Sequence, residues 1–185
     1  MRFGAVVLAA GASRRLGTPK QLIRICDETL VERTVRICRE AGCQPVVVVL
    51  GAAADQVRSA CSLDEAVVVV NENWQEGMAS SISRGLSALD PGVEGCVITT
   101  CDMPAVSQDH LRRLAATGEL TASAYAGRQG APAYFPRSVL PQLAALCGDM
   151  GARDLLKQCP AIPLAGGELD IDTPQDAERA FELFG

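Results

Sequence analysis

Leu8-Ala9-Ala10-Gly11-Ala12-Ser13-Arg14-Arg15-Leu16-Gly17-Thr18-Pro19-Lys20 is the most informative run in this chain. It follows Phe3-Gly4-Ala5-Val6-Val7-Leu8, whose unbroken apolar character predicts a buried strand. Small residues stand where the backbone must turn tightly, and two arginines and a lysine lie beside two glycines. Glycine and alanine let a backbone approach a ligand closely, and exposed N–H groups can then hold anionic oxygens. Arginine forks and a lysine point charge supply the positive field that a polyphosphate needs. The run therefore reads as a loop for a nucleoside triphosphate, although the same charges would suit an ordinary strand-to-helix loop. It is not the usual phosphate loop, because Thr18 and Pro19 separate Gly17 from Lys20. It also lacks the three-glycine frame of a dinucleotide fingerprint.

Further runs extend the pattern. Val46-Val47-Val48-Val49-Leu50, Ala66 to Val70, and Cys96-Val97-Ile98-Thr99 are continuous rather than alternating, which predicts strands buried on both faces of a parallel sheet. Leu30, Val31, Thr34, Val35, Cys38 and Ala41 share a helical face, and Gly42 suits that helix's end. Ile82, Leu86 and Leu89 repeat the spacing. Alternating strands and helices predict an α/β fold with right-handed crossovers. In such sheets ligands bind beyond the carboxyl ends of the strands. Four segments leave those ends: Ala10 to Lys20, Gly51 onward, Asn71 to Ser81, and Cys101 to Pro104. Gly51 reads as a simple turn.

The chain has 185 residues, 48% of them hydrophobic, enough for one domain spanning 1–185 with a sizeable core. A formal charge of -5 argues against general binding of nucleic acid or of a membrane surface. No segment is long enough to span a bilayer. The eight cysteines form no C-x-x-C pair, which excludes a standard zinc ribbon, and most are expected to be small buried residues in a reducing compartment, the cytoplasm. Cys101 is expected to pack only. His110, the sole histidine, is expected on an exposed first helical turn after the cap Ser107, which argues against a serine–histidine hydrolase.

Two carboxylates stand out. Asp102 ends a strand that Met103-Pro104 cannot continue, and Asp172 lies just before Thr173-Pro174-Gln175-Asp176, which reads as cap, first-turn proline and capping-box acid. Mg²⁺ takes one or two carboxylates together with phosphate oxygens and water. Asp170 has a similar claim to Asp172. Asn71 to Ser81 is polar and precedes an amphipathic helix, with Ser80 a candidate cap. Trp74 is expected to pack that loop. Gly127 to Phe135 predicts a hairpin or bent strand pair whose Pro132 suits a sheet edge, and Gly148 to Arg153 opens a helix carrying Leu155 and Leu156.

Leu8-Ala9-Ala10-Gly11, Ser13, Arg15, Gly17 and Lys20 together resemble the N-terminal signature of the nucleotidyltransferases that attach nucleotides to molybdopterin. Trp74 to Ser81, Cys101 to Pro104, Gly148 to Arg153 and Asp170 to Pro174 agree in order and spacing. The resemblance implies a three-layer Rossmann-like α/β fold with a mostly parallel sheet, of the nucleotide-diphospho-sugar transferase type. It implies transfer of CMP from CTP onto the phosphate of molybdopterin, with release of pyrophosphate and no covalent intermediate. Arg15, Lys20 and Asp102 would be catalytic. Leu8, Ala9, Ala10, Gly11, Arg15, Lys20, Gly77, Ser81 and Asp102 would bind nucleotide, with Ser81 near the base. Asp102 and Asp172 would hold Mg²⁺ or Mn²⁺. Gly127 to Phe135 and Gly148 to Arg153 would border the acceptor. Ala10 favours the cytidylyl branch, since the guanylyl branch tends to carry glycine there. GTP, or a sugar or polyol phosphate acceptor, is the alternative among enzymes, and a nucleotide-binding chaperone that delivers the cofactor is the alternative outside them. A molybdoenzyme or its chaperone would be the partner.

Overall fold

The computed structural model describes residues 2–185. In chain order its elements are β1 (Phe3–Ala9), β2 (Arg24–Ile25), β3 (Glu28–Thr29), α1 (Leu30–Glu40), β4 (Val46–Leu50), α2 (Ala54–Ala60), β5 (Val67–Val70), α3 (Met78–Leu86), β6 (Gly95–Thr100), α4 (Gln108–Ala116), β7 (Thr121–Tyr125), β8 (Arg128–Pro136), α5 (Leu140–Ala144), α6 (Arg153–Leu156), β9 (Ala161–Pro163) and α7 (Pro174–Phe184). Seven strands form one sheet in the order β5-β4-β1-β6-β8-β7-β9, while β2 and β3 make a separate small ribbon.

The first four strands of that order pair in parallel, as the valine-rich runs predict. Alternate residues of β1 and β4 enter two different cores. Ala5, Val7, Val46 and Val48 pack with α1 and α4, whereas Val6, Val47 and Val49 pack with Ile82 of α3 and Leu143 of α5. The result is a three-layer α/β sandwich. Every residue of β4 is buried, and each valine removed from water stabilises the fold by about 1.5–3 kcal/mol. Helix α3 lies close on the sheet because Gly85 has no side chain; a Cβ there would stand 2.3 Å from Val6 Cγ1.

Two strand expectations need correction. The run at Val67–Val70 is only half-buried, with Val67 45% exposed, because β5 is the sheet's outer strand and has one neighbour, β4. Strand β8 is interior, between β6 and β7, so Pro132 does not mark an edge. The ladder with β7 shifts register between Ala122 and Ser123, and Ala131-Pro132 falls within that irregularity, where no ladder N–H is required. The β7–β8 turn itself is a two-residue hairpin loop. Ala126 and Gly127 both have positive φ, as a right-twisted hairpin favours.

The chain runs outward from β1 through β4 to β5 and then returns to place β6 on the other side of β1. The strand order thus reverses between β1 and β6. Loops leaving the carboxyl ends of these two strands face the crevice where α/β sheets bind ligands.

Candidate active site

Lys20 lies in a single 3-10 turn, Lys20–Leu22, that ends the loop after β1. Its ammonium is 2.7 Å from Asp102 Oδ2 and 2.6 Å from Asp172 Oδ1, and its side chain is only 15% exposed. Arg15 donates to the other oxygen of Asp172 at 2.6 Å, from a largely exposed position. Burial alone would lower the Lys20 pKa, but Asp102 and Asp172 outweigh it and hold the group above its ordinary value. The four residues expected to carry the chemistry therefore converge, although they come from three distant parts of the chain.

The convergence has local causes. Asp102 lies in the bend that follows β6, one residue after Cys101. The Ile171 N–H donates to the Asp102 carbonyl at 2.9 Å, and Ile171 is fully buried, so the segment bearing Asp172 is stitched to the β6 exit. Thr173 and Asp176 form the expected capping box of α7, and the Asp172 N–H also donates to Asp176. Asp172 therefore stands on a fixed helix start. Asp170 faces elsewhere: it pairs with Arg128 at 3.5 Å, and burial followed by the charge of Asp102 pushes its pKa up to about 6.

The phosphate-loop reading differs from the structure in one respect. It has Lys20 facing phosphate with Asp102 and Asp172 free for a cation, yet the Lys20 ammonium lies between the two carboxylates. Among the described residues, no group of three or more His, Cys, Asp or Glu gathers as a metal cluster. The pair still fits a hard divalent cation. Asp102 Oδ1 is buried with no hydrogen-bond partner among the described residues, and Mg²⁺ needs only one or two carboxylates beside phosphate and water.

The loop over Gly11 to Thr18 is mostly exposed. The amides of Ala12, Ser13, Arg14 and Arg15 donate to no acceptor among the described residues. Ser13 turns the chain with φ 50 and accepts from the Lys20 N–H through its side chain. Ala9 and Ala10 are buried, so the Ala10 methyl acts by packing beneath the loop. Gly51 does more than turn. A Cβ there would stand 2.6 Å from the Ala10 carbonyl and 2.9 Å from Trp74 Cβ, so its bareness lets two loops touch.

In the second loop, Asn71 is an organiser that the sequence pattern does not reveal. It is buried and donates to both Ser80 Oγ and Ser81 Oγ, and its own oxygen accepts from the Asn73 N–H. Ser80 does not cap α3, whose cap residue is Gly77; its hydroxyl instead donates to the Asn73 and Gly77 carbonyls. Ser81 is buried against Asn71. Gly77, at φ 108, meets the Gly148–Arg153 segment: a Cβ would stand 2.5 Å from Asp149 Oδ1. Two motif segments far apart in sequence thus interlock.

A cleft of about 740 Å³ opens beside this junction. Leu8, Ile98 and Phe135 give it an apolar floor, while Arg128, Arg153 and Asp170 add charge. Asp102 is the residue shared by the cationic cluster and the cleft. Tyr125, also unmarked by any motif, lies under Arg128, whose guanidinium is 5.1 Å from the ring centroid, and donates to the Ala131 carbonyl. A tyrosine just before a two-residue turn is the signal that could have marked it.

Two minor expectations fall differently. His110 is buried, 4% exposed, because α4 lays its first turn against β7 and brings the ring to Ser123. All eight cysteines are free, but only Cys38, Cys43, Cys96 and Cys101 are buried; Cys26 and Cys147 are exposed. Cys101 is buried in the core, and burial pushes its thiol up to about 12.

Residues 5–162 match the model of the MobA-like NTP transferase domain. The chain belongs to that family. This NTP transferase domain is thereby a nucleotidyltransferase, an enzyme that moves a nucleoside monophosphate group onto a phosphate acceptor. It is 35% identical over 105 residues to a probable molybdenum cofactor guanylyltransferase of Opitutus terrae, covering 56% of this chain and 50% of that one. It is also 35% identical to nicotine blue oxidoreductase of Paenarthrobacter nicotinovorans, over 97% of this chain and 93% of the relative. The crystal structure of Rv0371c from Mycobacterium tuberculosis H37Rv superposes with a TM-score of 0.89 at 37% identity, covering 98% of each chain, and that protein has also been solved in complex with manganese. No helix among the described residues is long and apolar enough to cross a membrane.

Proposed function

We propose that this enzyme transfers CMP from CTP to the phosphate of a molybdopterin-type acceptor and releases pyrophosphate. The observation that carries the reading is the position of Asp102, which pairs with Lys20 in the charged cluster and also lines the arginine-bearing cleft. A triphosphate on the first loop would present its α-phosphate near Asp102. The acceptor, seated in the cleft with its phosphate toward Arg128 and Arg153, would approach from the opposite side. An acceptor phosphate oxygen then forms a bond to the α-phosphorus as the bond to pyrophosphate breaks, with no covalent enzyme intermediate.

Lys20 exchanges its carboxylate partners for phosphate oxygens, and with Arg15 it offsets charge on the leaving pyrophosphate. Asp102 and Asp172, relieved of the ammonium, are the residues that would hold Mg²⁺ or Mn²⁺, which when bound neutralises phosphate charge. That the mycobacterial relative has been solved in complex with manganese is consistent with use of a divalent cation. Asp170 stays with Arg128 on the acceptor side. CTP is preferred on the strength of Ala10; the guanylyltransferase relative makes GTP the runner-up.

The nicotine blue oxidoreductase relative favours a second reading, an oxidoreductase that takes its substrate in the same cleft. One experiment separates the readings. Pyrophosphate release is followed with CTP, GTP, ATP and UTP, with and without molybdopterin, beside reduction of nicotine blue by NAD(P)H. Acceptor-dependent pyrophosphate release that is fastest with CTP is the expected result. Release with GTP alone transfers the reading to the guanylyl branch, and dye reduction without pyrophosphate release overturns it.

A further inference from the structure

Gln21 is the residue beneath the first loop that neither motif nor composition explains. It follows Lys20 in the same tight turn and is 1% exposed. Its Nε2 donates to the Ala9 carbonyl at 2.6 Å and to the Gly11 carbonyl at 3.2 Å. Its Oε1 is buried with no partner among the described residues. Leaving a buried acceptor unmade is unfavourable, and an apolar side chain of the same length would avoid it. The amide therefore needs a reason in what its donor end does.

Peptide geometry supplies that reason. A peptide unit is planar and trans, so the N–H of one residue points opposite to the carbonyl of the residue before it. Three successive carbonyls are held here: Ala9 by Gln21, Ala10 by the Ala52 N–H at 3.1 Å, and Gly11 by Gln21 again. With the Gly11 carbonyl drawn inward to a buried amide, the Ala12 N–H is turned outward. Gly11 and Ala12 are exposed, and the space beside Gly11 Cα is open for 4 Å. The outward side is thus a free surface furnished with an oriented donor.

We infer that Gln21 is a positioning residue for nucleotide binding, clamping the Ala9 and Gly11 carbonyls so that the Ala12 N–H and its neighbours point at the triphosphate. The same turn then does two jobs, sending Lys20 upward to the charged cluster and Gln21 downward to the loop. Gln21 touches no phosphate itself. The inference rests on the reading of this loop as a triphosphate site.

Gln21→Met tests it, since methionine keeps the length and apolar packing but donates nothing. Binding of inorganic triphosphate, CTP and GTP is measured by calorimetry for both proteins, beside thermal denaturation. The expected result is a loss of tenfold or more in affinity for all three probes, inorganic triphosphate included, with a melting temperature close to that of the parent. Unchanged triphosphate affinity in a folded Gln21→Met protein overturns the inference. Should that variant not fold, the parent protein decides: on titration with inorganic triphosphate the Ala12 amide resonance is expected to shift and its hydrogen exchange to slow, and an unmoved Ala12 amide in a protein that binds triphosphate overturns the proposal. A parent that binds none of the probes instead overturns the triphosphate reading of the loop, and the inference with it.

Discussion

Acid should weaken this fold through His110. The ring Nε2 is 2.7 Å from Ser123 Oγ, and that hydroxyl donates to the Pro132 carbonyl at 2.5 Å. The Ser123 oxygen must then accept from the ring, which fixes the neutral tautomer with its proton on Nε2. A second proton would go to Nδ1 and would place a charge on a ring that is 4% exposed. Burial, and then repulsion from Arg113, lower the pKa from 6.5 to about 4. The unfolded ring binds a proton near pH 6.5 and the folded ring only near pH 4, so the contribution is complete above pH 6.5 and is lost as pH falls toward 4. Each pH unit between those two values is worth about 1.4 kcal/mol, so the loss reaches about 3 kcal/mol by pH 4. Carboxylates titrate in the same range, so the measurement is a difference. Urea unfolding of the parent and of His110→Gln, whose amide can replace the Nε2 donor, is followed from about pH 7.5 to pH 4. The parent should lose about 3 kcal/mol more than the variant over that range. Parallel stability curves would refute the reasoning. Because Pro132 sits in the strand irregularity next to Ala131, which lines the cleft, the same acid loss should appear as faster amide exchange in β8.

Three further outcomes follow from the site. Lys20→Ala should lower kcat at saturating nucleotide by ~10²-fold or more, with Arg15→Ala in the same direction and Arg14→Ala smaller; a normal kcat with only a raised KM would leave Lys20 as a binding residue. Asp102→Asn and Asp172→Asn should each weaken Mn²⁺ binding by about tenfold or more, judged by electron paramagnetic resonance. Asp170→Asn should weaken it far less, and Lys20→Met should tighten Mn²⁺ binding in the nucleotide-free protein by vacating the space between the carboxylates; equal affinity in that last variant would contradict the exchange of Lys20 for a cation. Ala10→Gly should reduce the preference for CTP over GTP in kcat/KM by an amount within the ~1–3 kcal/mol typical of one methylene, and an unchanged ratio would remove Ala10 from nucleotide choice.

The strands of the parallel half-sheet, the loop after β1, and the caps at Ser107 and Thr173 were legible in the sequence. These features are local: an unbroken valine run, a helical spacing or a capping box is written in neighbouring residues and needs no distant partner. Asp102 and Asp172 were legible as fixed mounting points for the same reason, because a proline or a cap follows each. What these residues meet was settled by tertiary packing. Lys20 and Asp172 are 152 positions apart, and their contact depends on Ile171 pairing with the β6 exit, which no local pattern encodes. Burial depended in the same way on neighbours supplied from elsewhere. His110 is covered because α4 packs on β7, Val67 is bared because β5 has no second neighbour, and Pro132 is interior because β8 inserts between β6 and β7. Gly77 against Asp149, and Gln21 beneath Gly11, belong to the same class. A side chain's propensity is a property of its own backbone, but the space and the hydrogen-bond partners around it are set by segments that fold against it from far along the chain.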